Sequence, residues 1–212
     1  MQIAHRPSFS IAAPDSGRAI QYLTEPQLNA LVEAFQRWYD GAKKAPSRKR
    51  RGRYWLTFLT LRFTGARLGE VLQVDDTLSI NFREGTIRLP TLKRHNPKKR
   101  GHTRLVPVPH QLMAEIGTYL AEFPDMRGKV FRLDPGNFRR VFYQRASEAG
   151  IPRVLAHPHV LRHTRAIEML RAGVPVTVVQ DILGHAALTT TAVYLRISGQ
   201  EARTILKDRG LI

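Results

Sequence analysis

Cysteine is missing from the 212 residues of this chain. Disulfides, thiolate nucleophiles and cysteine zinc sites are thereby excluded, and the absence fits a reducing cytoplasm. Long apolar runs are missing too. No stretch reaches the length of a membrane span, and the N-terminus carries no uninterrupted apolar signal core. Neither a glycine-rich phosphate loop nor an acidic metal cluster is present. Acidic residues are scarce: 17 Asp plus Glu stand against 34 Lys plus Arg, a formal charge of +17. A charge that large repels itself unless a polyanion neutralises it, which points to nucleic acid. An anionic membrane ranks second, but no basic helix with an exposed apolar face supports it. The reading is a soluble, cytoplasmic, DNA-associated protein.

What is present is globular. Hydrophobic residues make up 42% of the chain, enough for one compact core. Residues 1–20 carry Pro7, Pro14 and Gly17 without periodicity and read as a loose arm. "LTEPQLNALVEAFQRWY" reads as a helix. Thr24 and Gln27 form a capping box, Pro26 lies in the first turn, and Leu28, Leu31, Val32, Phe35 and Trp38 make one apolar stripe. "DGAKKAPSRKRRGR", with seven Lys or Arg, reads as a basic loop. Its Lys43, Lys44, Arg48, Lys49, Arg50, Arg51 and Arg53 are candidate phosphate contacts or simply a solvated face.

"YWLTFLTLRFTGARLGEVLQV" reads as a buried helical pair broken near Gly65. "SINFREGTIRLP" reads as a hairpin turning at Arg83-Glu84-Gly85, and "TRLVPVP" as a third strand. Between them lies a basic loop holding Lys93, Arg94, Lys98, Lys99 and Arg100, with Pro97 and Gly101 as breakers. Helices are expected at 111–122, 136–149, 159–172 and 176–183, the last two stopped by Gly173 and Gly184. One more should start near Thr189. The fold class is mainly α with a small three-stranded antiparallel β-sheet.

Several side chains look chemical. Arg67, in an apolar neighbourhood, needs an anion: either Glu70, three residues on, or a phosphate. In "HPHVLRHTRAIEML", helical periodicity places His163 on the stripe of Val160, Thr164, Ile167 and Leu170, as a hydrogen-bonded core histidine. His159 and Arg162 then share a neighbouring face, directed away from that stripe. A metal at His159 and His163 is set aside, because no catalytic Glu is nearby and the two fall on different faces. His185 sits in a turn after Gly184. Tyr194 follows nine residues later. Each of these, taken singly, has an ordinary structural explanation.

Together they do not. "TGARLGEVLQV", "HPHVLRHTRA" and "LGHAALTTTAVY" resemble the three signature boxes of the tyrosine recombinase (phage integrase) family, in order and approximate spacing, over roughly Tyr22 to Arg196. The resemblance implies that Tyr194 attacks a DNA phosphodiester and that Arg67 and Arg162 grip its non-bridging oxygens. It implies that His159 assists the tyrosine proton, that His185 hydrogen-bonds the phosphate, and that Glu70 supports the site. Lys93 best matches the family's loop lysine, the general acid, with Lys98 and Lys99 in the same loop.

The implied intermediate is a 3′-phosphotyrosine. It conserves the bond energy, so no cofactor, ATP or metal is expected. Double-stranded DNA is the implied partner, with a tetramer on two duplexes and accessory DNA-bending proteins. The expected organisation is an arm at 1–20, a catalytic domain at 21–197, and a tail helix at 198–212 that docks on a neighbouring subunit. The family's usual N-terminal DNA clamp is not recognisable, so the chain reads as a short member or a fragment. Two competitors stay open. "VTVVQDILGHAALTTTAVYLR" also fits a helix-turn-helix of a non-catalytic DNA binder, and a nicking-resealing topoisomerase would share the chemistry.

Overall fold

A computed structural model describes residues 20–91 and 102–184. In chain order these form α1 (Glu25–Asp40), α2 (Ala45–Thr64), two single-turn helices, α3 (Leu68–Val71) and α4 (Asp76–Ser79), then β1 (Ile80–Asn81), β2 (Thr86–Pro90) and β3 (Thr103–Pro107). Four helices follow: α5 (His110–Glu122), α6 (Pro135–Glu148), α7 (His159–Arg171) and α8 (Val176–Leu183). The expected class, mostly helical with one three-stranded antiparallel sheet, is what the chain adopts. The arm, the segment carrying Lys93, the helix expected near Thr189 and the tail lie outside the described residues.

The capping box that opens α1 forms as read. Gln27 donates its backbone N–H to Thr24 Oγ1 at 3.4 Å, and its side chain accepts from the Thr24 N–H at 2.9 Å. Helix α2 is the central post, packed against α1, α5 and α7. The Phe35 and Phe58 rings stack at 4.1 Å where α1 meets it. Helix α2 ends at Gly65, whose φ of +62° suits glycine. A Cβ there would also lie 2.6 Å from Leu183 Cδ2, so the turn before Arg67 is pressed against the end of α8.

One element differs from expectation. The basic stretch after Gly41 is a loop only at its start; residues 45–53 are the first turns of α2. Lys and Arg are good helix formers, and Pro46 is tolerated in a first turn. Gly52 is required by packing, since a Cβ would sit 2.4 Å from the Tyr119 ring. Partners distant in sequence then hold the cations. Arg48 pairs with Glu122 at 2.8 Å and Lys49 with Asp125 at 2.8 Å. Arg51 donates to Trp38 O, and Arg53 donates to the carbonyls of Lys129, Val130 and Arg132.

In the sheet, β2 is central and antiparallel to both neighbours. Ile87 lies opposite Val106, Arg88 opposite Leu105, and Leu89 opposite Arg104. Ile87, Leu89 and Val106 enter the main core. A smaller core joins α7 to α8 through Ala166, Ile167, Met169, Leu170, Val179 and Leu183.

Candidate active site

The turn after α2, the buried side of α7 and the last turn of α8 meet at one guanidinium. Arg162 is 2% exposed. Its Nη1 donates to Gly65 O at 2.9 Å and to Leu183 O at 2.8 Å. Those carbonyls lie two residues before Arg67 and two before His185. A single side chain thus fastens together the segments carrying all three motifs.

This placement corrects part of the periodicity argument. Arg162, with Ala166 and Met169, faces inward, because α7 is packed between two apolar clusters and is buried on most of its circumference. His159 is exposed at the N-terminus of α7, and His163 is half-buried rather than a core residue. Nor do the two histidines occupy separate faces. One helical turn brings their rings edge to face, centroids 4.6 Å apart.

Of the two partners that its sequence offered, a carboxylate or a phosphate, Arg67 is paired here with the carboxylate. Its Nη1 pairs with Glu70 Oε1 at 3.0 Å, and its backbone N–H reaches Glu70 Oε2 at 3.1 Å. Its side chain stays 23% exposed, so the guanidinium still faces outward in part. Glu70 is completely buried.

The residue missed by sequence reasoning is Arg104, which the sequence shows only as part of the third strand. Its side chain is nearly buried and pairs with Glu70 Oε2 at 2.7 Å. The available signal was strand alternation: Arg104 and Val106, two apart on β3, share the inward face. The apolar pair Leu105 and Val106 obscured which face that was.

Burial alone would push the Glu70 carboxyl up. The hydrogen bond and charge of Arg104, with the Arg67 N–H and charge, outweigh that and hold it below its ordinary 4.5. A carboxyl that binds its proton less readily folded than unfolded contributes stability that is complete above the unfolded value. That contribution is lost as pH falls through the folded value. Thermal unfolding across the acid range should therefore show a limb of falling stability below about pH 4.5. Glu70→Gln should flatten that limb; an unchanged acid slope would show that Glu70 carries no such coupling.

The described residues also frame the segments beyond them. Thr91 N–H donates to His102 O at 2.9 Å, closing the base of the segment that carries Lys93, Arg94, Lys98, Lys99 and Arg100. Gly184, at φ +67°, precedes His185. Lys93, His185 and Tyr194 themselves lie outside the described residues, as does the second helix of the helix-turn-helix reading. Lys43, Lys44 and Arg50 are exposed. Helix α2 is 20 residues long, so Arg50 lies about 20 Å along its axis from the turn that carries Arg67.

Arg162 is bonded to the carbonyl two residues before Arg67, and Arg104 shares the Glu70 carboxylate with Arg67, so three arginines gather around this turn, cations of the kind that an oxyanion requires. The sequence pattern of the phage integrase family matches residues 21–201, and the chain belongs to that family. The tyrosine recombinase XerA of Pyrococcus furiosus is 30% identical over 201 residues, covering 90% of this chain and 62% of XerA. The chain therefore spans less than two thirds of that relative's length. Its fold is similar to the crystal structure of XerH bound to palindromic difH in a post-cleavage complex, with TM-score 0.68 and 20% identity over 92% of this chain and 54% of XerH. It is also similar to the catalytic domain of bacteriophage HP1 integrase, with TM-score 0.59 and 21% identity over 89% of this chain and 94% of that domain.

Proposed function

We propose that the chain cleaves and rejoins DNA strands at specific sites through a covalent 3′-phosphotyrosyl intermediate. The observation that carries this reading is the Arg162 guanidinium, which draws together the turn before Arg67 and the helix end before His185. Arg67 and Arg162 supply the positive charge that a phosphodiester needs before an oxygen nucleophile can approach. Planar guanidiniums meet two phosphate oxygens at once, and their charge matches the extra negative charge of a pentavalent transition state.

The Tyr194 oxygen attacks phosphorus and loses its proton with help from His159. The bond to the 5′-oxygen breaks, and that oxygen takes a proton from Lys93. The 3′-phosphate is left esterified to tyrosine, with His185 hydrogen-bonded to it. Attack by a 5′-hydroxyl reverses each step and rejoins the strands, consuming no nucleotide. The tail after Ser198, with Ala202, Ile205 and Leu206 as a narrow apolar stripe, is the proposed link between subunits in a tetramer on two duplexes. Accessory DNA-bending proteins would assist that assembly. A non-catalytic helix-turn-helix binder would bind DNA without forming a covalent adduct, and relaxation of supercoiled DNA lacking a recombination site would mark a topoisomerase.

A suicide duplex from the neighbouring genomic DNA, nicked beside the cleavage point, tests the proposal. Denaturing gels should show a protein–DNA adduct, undiminished by excess EDTA. Loss of the adduct in EDTA and its return with added divalent ion would replace tyrosine chemistry with a metal mechanism.

A further inference from the structure

Glu70 serves two guanidiniums. Its Oε1 accepts from Arg67 Nη1, and its Oε2 accepts from Arg104 Nη2. Two arginines and one carboxylate leave one net positive charge on this triad. Without Arg104, Arg67 and Glu70 would cancel. The whole carboxylate would then pull on Arg67, where water screens little. An arginine held in that way is a poor ligand for phosphate.

Arg104 also braces its surroundings. Its Nε donates to Ile182 O at 2.7 Å, and its Nη1 donates to Pro90 O at 3.3 Å and Thr91 Oγ1 at 3.4 Å. A Cβ on Gly184 would lie 3.0 Å from Nη1 and 3.1 Å from Cζ. The guanidinium therefore crosses closely over the α8 terminus, where a side chain at position 184 would press on it.

We propose that Arg104 is a positioning residue that shares the Glu70 carboxylate with Arg67 and so leaves a net positive charge at Arg67 for a DNA phosphate. This rests on the DNA-cleavage reading and deepens it, by naming the pair that sets the strength of the phosphate grip. Arg104 touches no reacting atom; it acts through Glu70 and Arg67.

The test is a pair of substitutions whose effects have opposite signs in two backgrounds. Arg104→Met should slow adduct formation on the suicide duplex by about ten- to a hundredfold, the size of loss typical when a group that orients a metal ligand is removed. Adding Glu70→Gln should recover most of that loss, because no carboxylate then holds Arg67. In the otherwise unaltered chain, Glu70→Gln should slow cleavage, since two guanidiniums then face each other with no anion between them. If Arg104 were only a brace, the second substitution would deepen the damage; a double variant no faster than Arg104→Met overturns the proposal.

Arg104→Lys guards against misfolding, because it keeps the charge and loses the fork. It should cleave faster than Arg104→Met at equal melting temperature, and equal rates would overturn charge sharing. Carbon-13 NMR titration of the Glu70 carboxyl reads the pairing without DNA. Arg104→Met should raise its midpoint, and an unmoved midpoint overturns the proposal. If the unaltered chain forms no adduct on any duplex, the cleavage reading fails by itself, and the titration still decides on Arg104.

Discussion

Tyr194→Phe should abolish the covalent adduct while DNA binding persists. The substitution removes one oxygen and keeps the ring, so packing around the side chain changes little. A phenol is nearly all protonated at neutral pH and attacks only with a positioned base or a positive field. The proposed field comes from Arg67 and Arg162, whose segments are fastened at Gly65 O and Leu183 O. With the hydroxyl gone, that field acts on nothing. Removal of a nucleophile costs on the order of a thousandfold or more, because the groups around it work as a unit. Gel shift at fixed salt should give near-unchanged affinity, since phosphate contacts come from the cations. A Tyr194→Phe chain that forms adduct at the normal rate would remove Tyr194 from the chemistry. The linkage would then have to be mapped to another hydroxyl.

Local signals in the sequence were reliable wherever the physics is local. The Thr24–Gln27 capping box is satisfied within four residues, so its pattern reveals it. Gly65, Gly173 and Gly184 end helices at positive φ, as a glycine after an apolar run foretells. The hairpin closes at Gly85, as its turn residues require. Misreadings fell where partners are far away in sequence. Lys49 looks like a loop cation until Asp125, 76 residues on, is brought to it. Arg162 looks turned away from the core on a helical wheel because a wheel cannot show that α7 is covered on two sides.

Arg162 and Arg104 show the same limit at the site itself. The motif named Arg162 but could not reveal that its Nη1 is held by two main-chain carbonyls. Those bonds fix the plane of the guanidinium, and a fixed plane is what bidentate recognition of phosphate needs. Arg104 lacked a motif and stood in the sequence only as one residue of a short strand. Its role appears only when β3, α3 and α8 are assembled around Glu70. Charge composition points to a polyanion partner as an expectation, but it cannot separate cations that face solvent from those held inside the fold.

Lys93→Ala should slow cleavage of ordinary DNA by about a hundred- to ten-thousandfold, the range for loss of a general acid, and sulfur should repair it. Lys93 follows Thr91 by two residues, and Thr91 is anchored through its N–H to His102 O and its hydroxyl to Arg104. A 5′-alkoxide leaves poorly without a proton, whereas a thiolate leaves well. A duplex with sulfur at the bridging 5′ position should therefore restore Lys93→Ala cleavage toward the unaltered rate. Arg162→Ala should stay defective on the same duplex, because its loss concerns charge on the non-bridging oxygens and the fastening of Gly65 and Leu183. Were Lys93 only a phosphate contact, its removal would weaken binding and flatten the salt dependence slightly, with no selective rescue. Rescue of Lys98→Ala or Lys99→Ala in place of Lys93→Ala would move the acid along the segment. Rescue of none of three clearly defective variants would place it outside the β2–β3 connection.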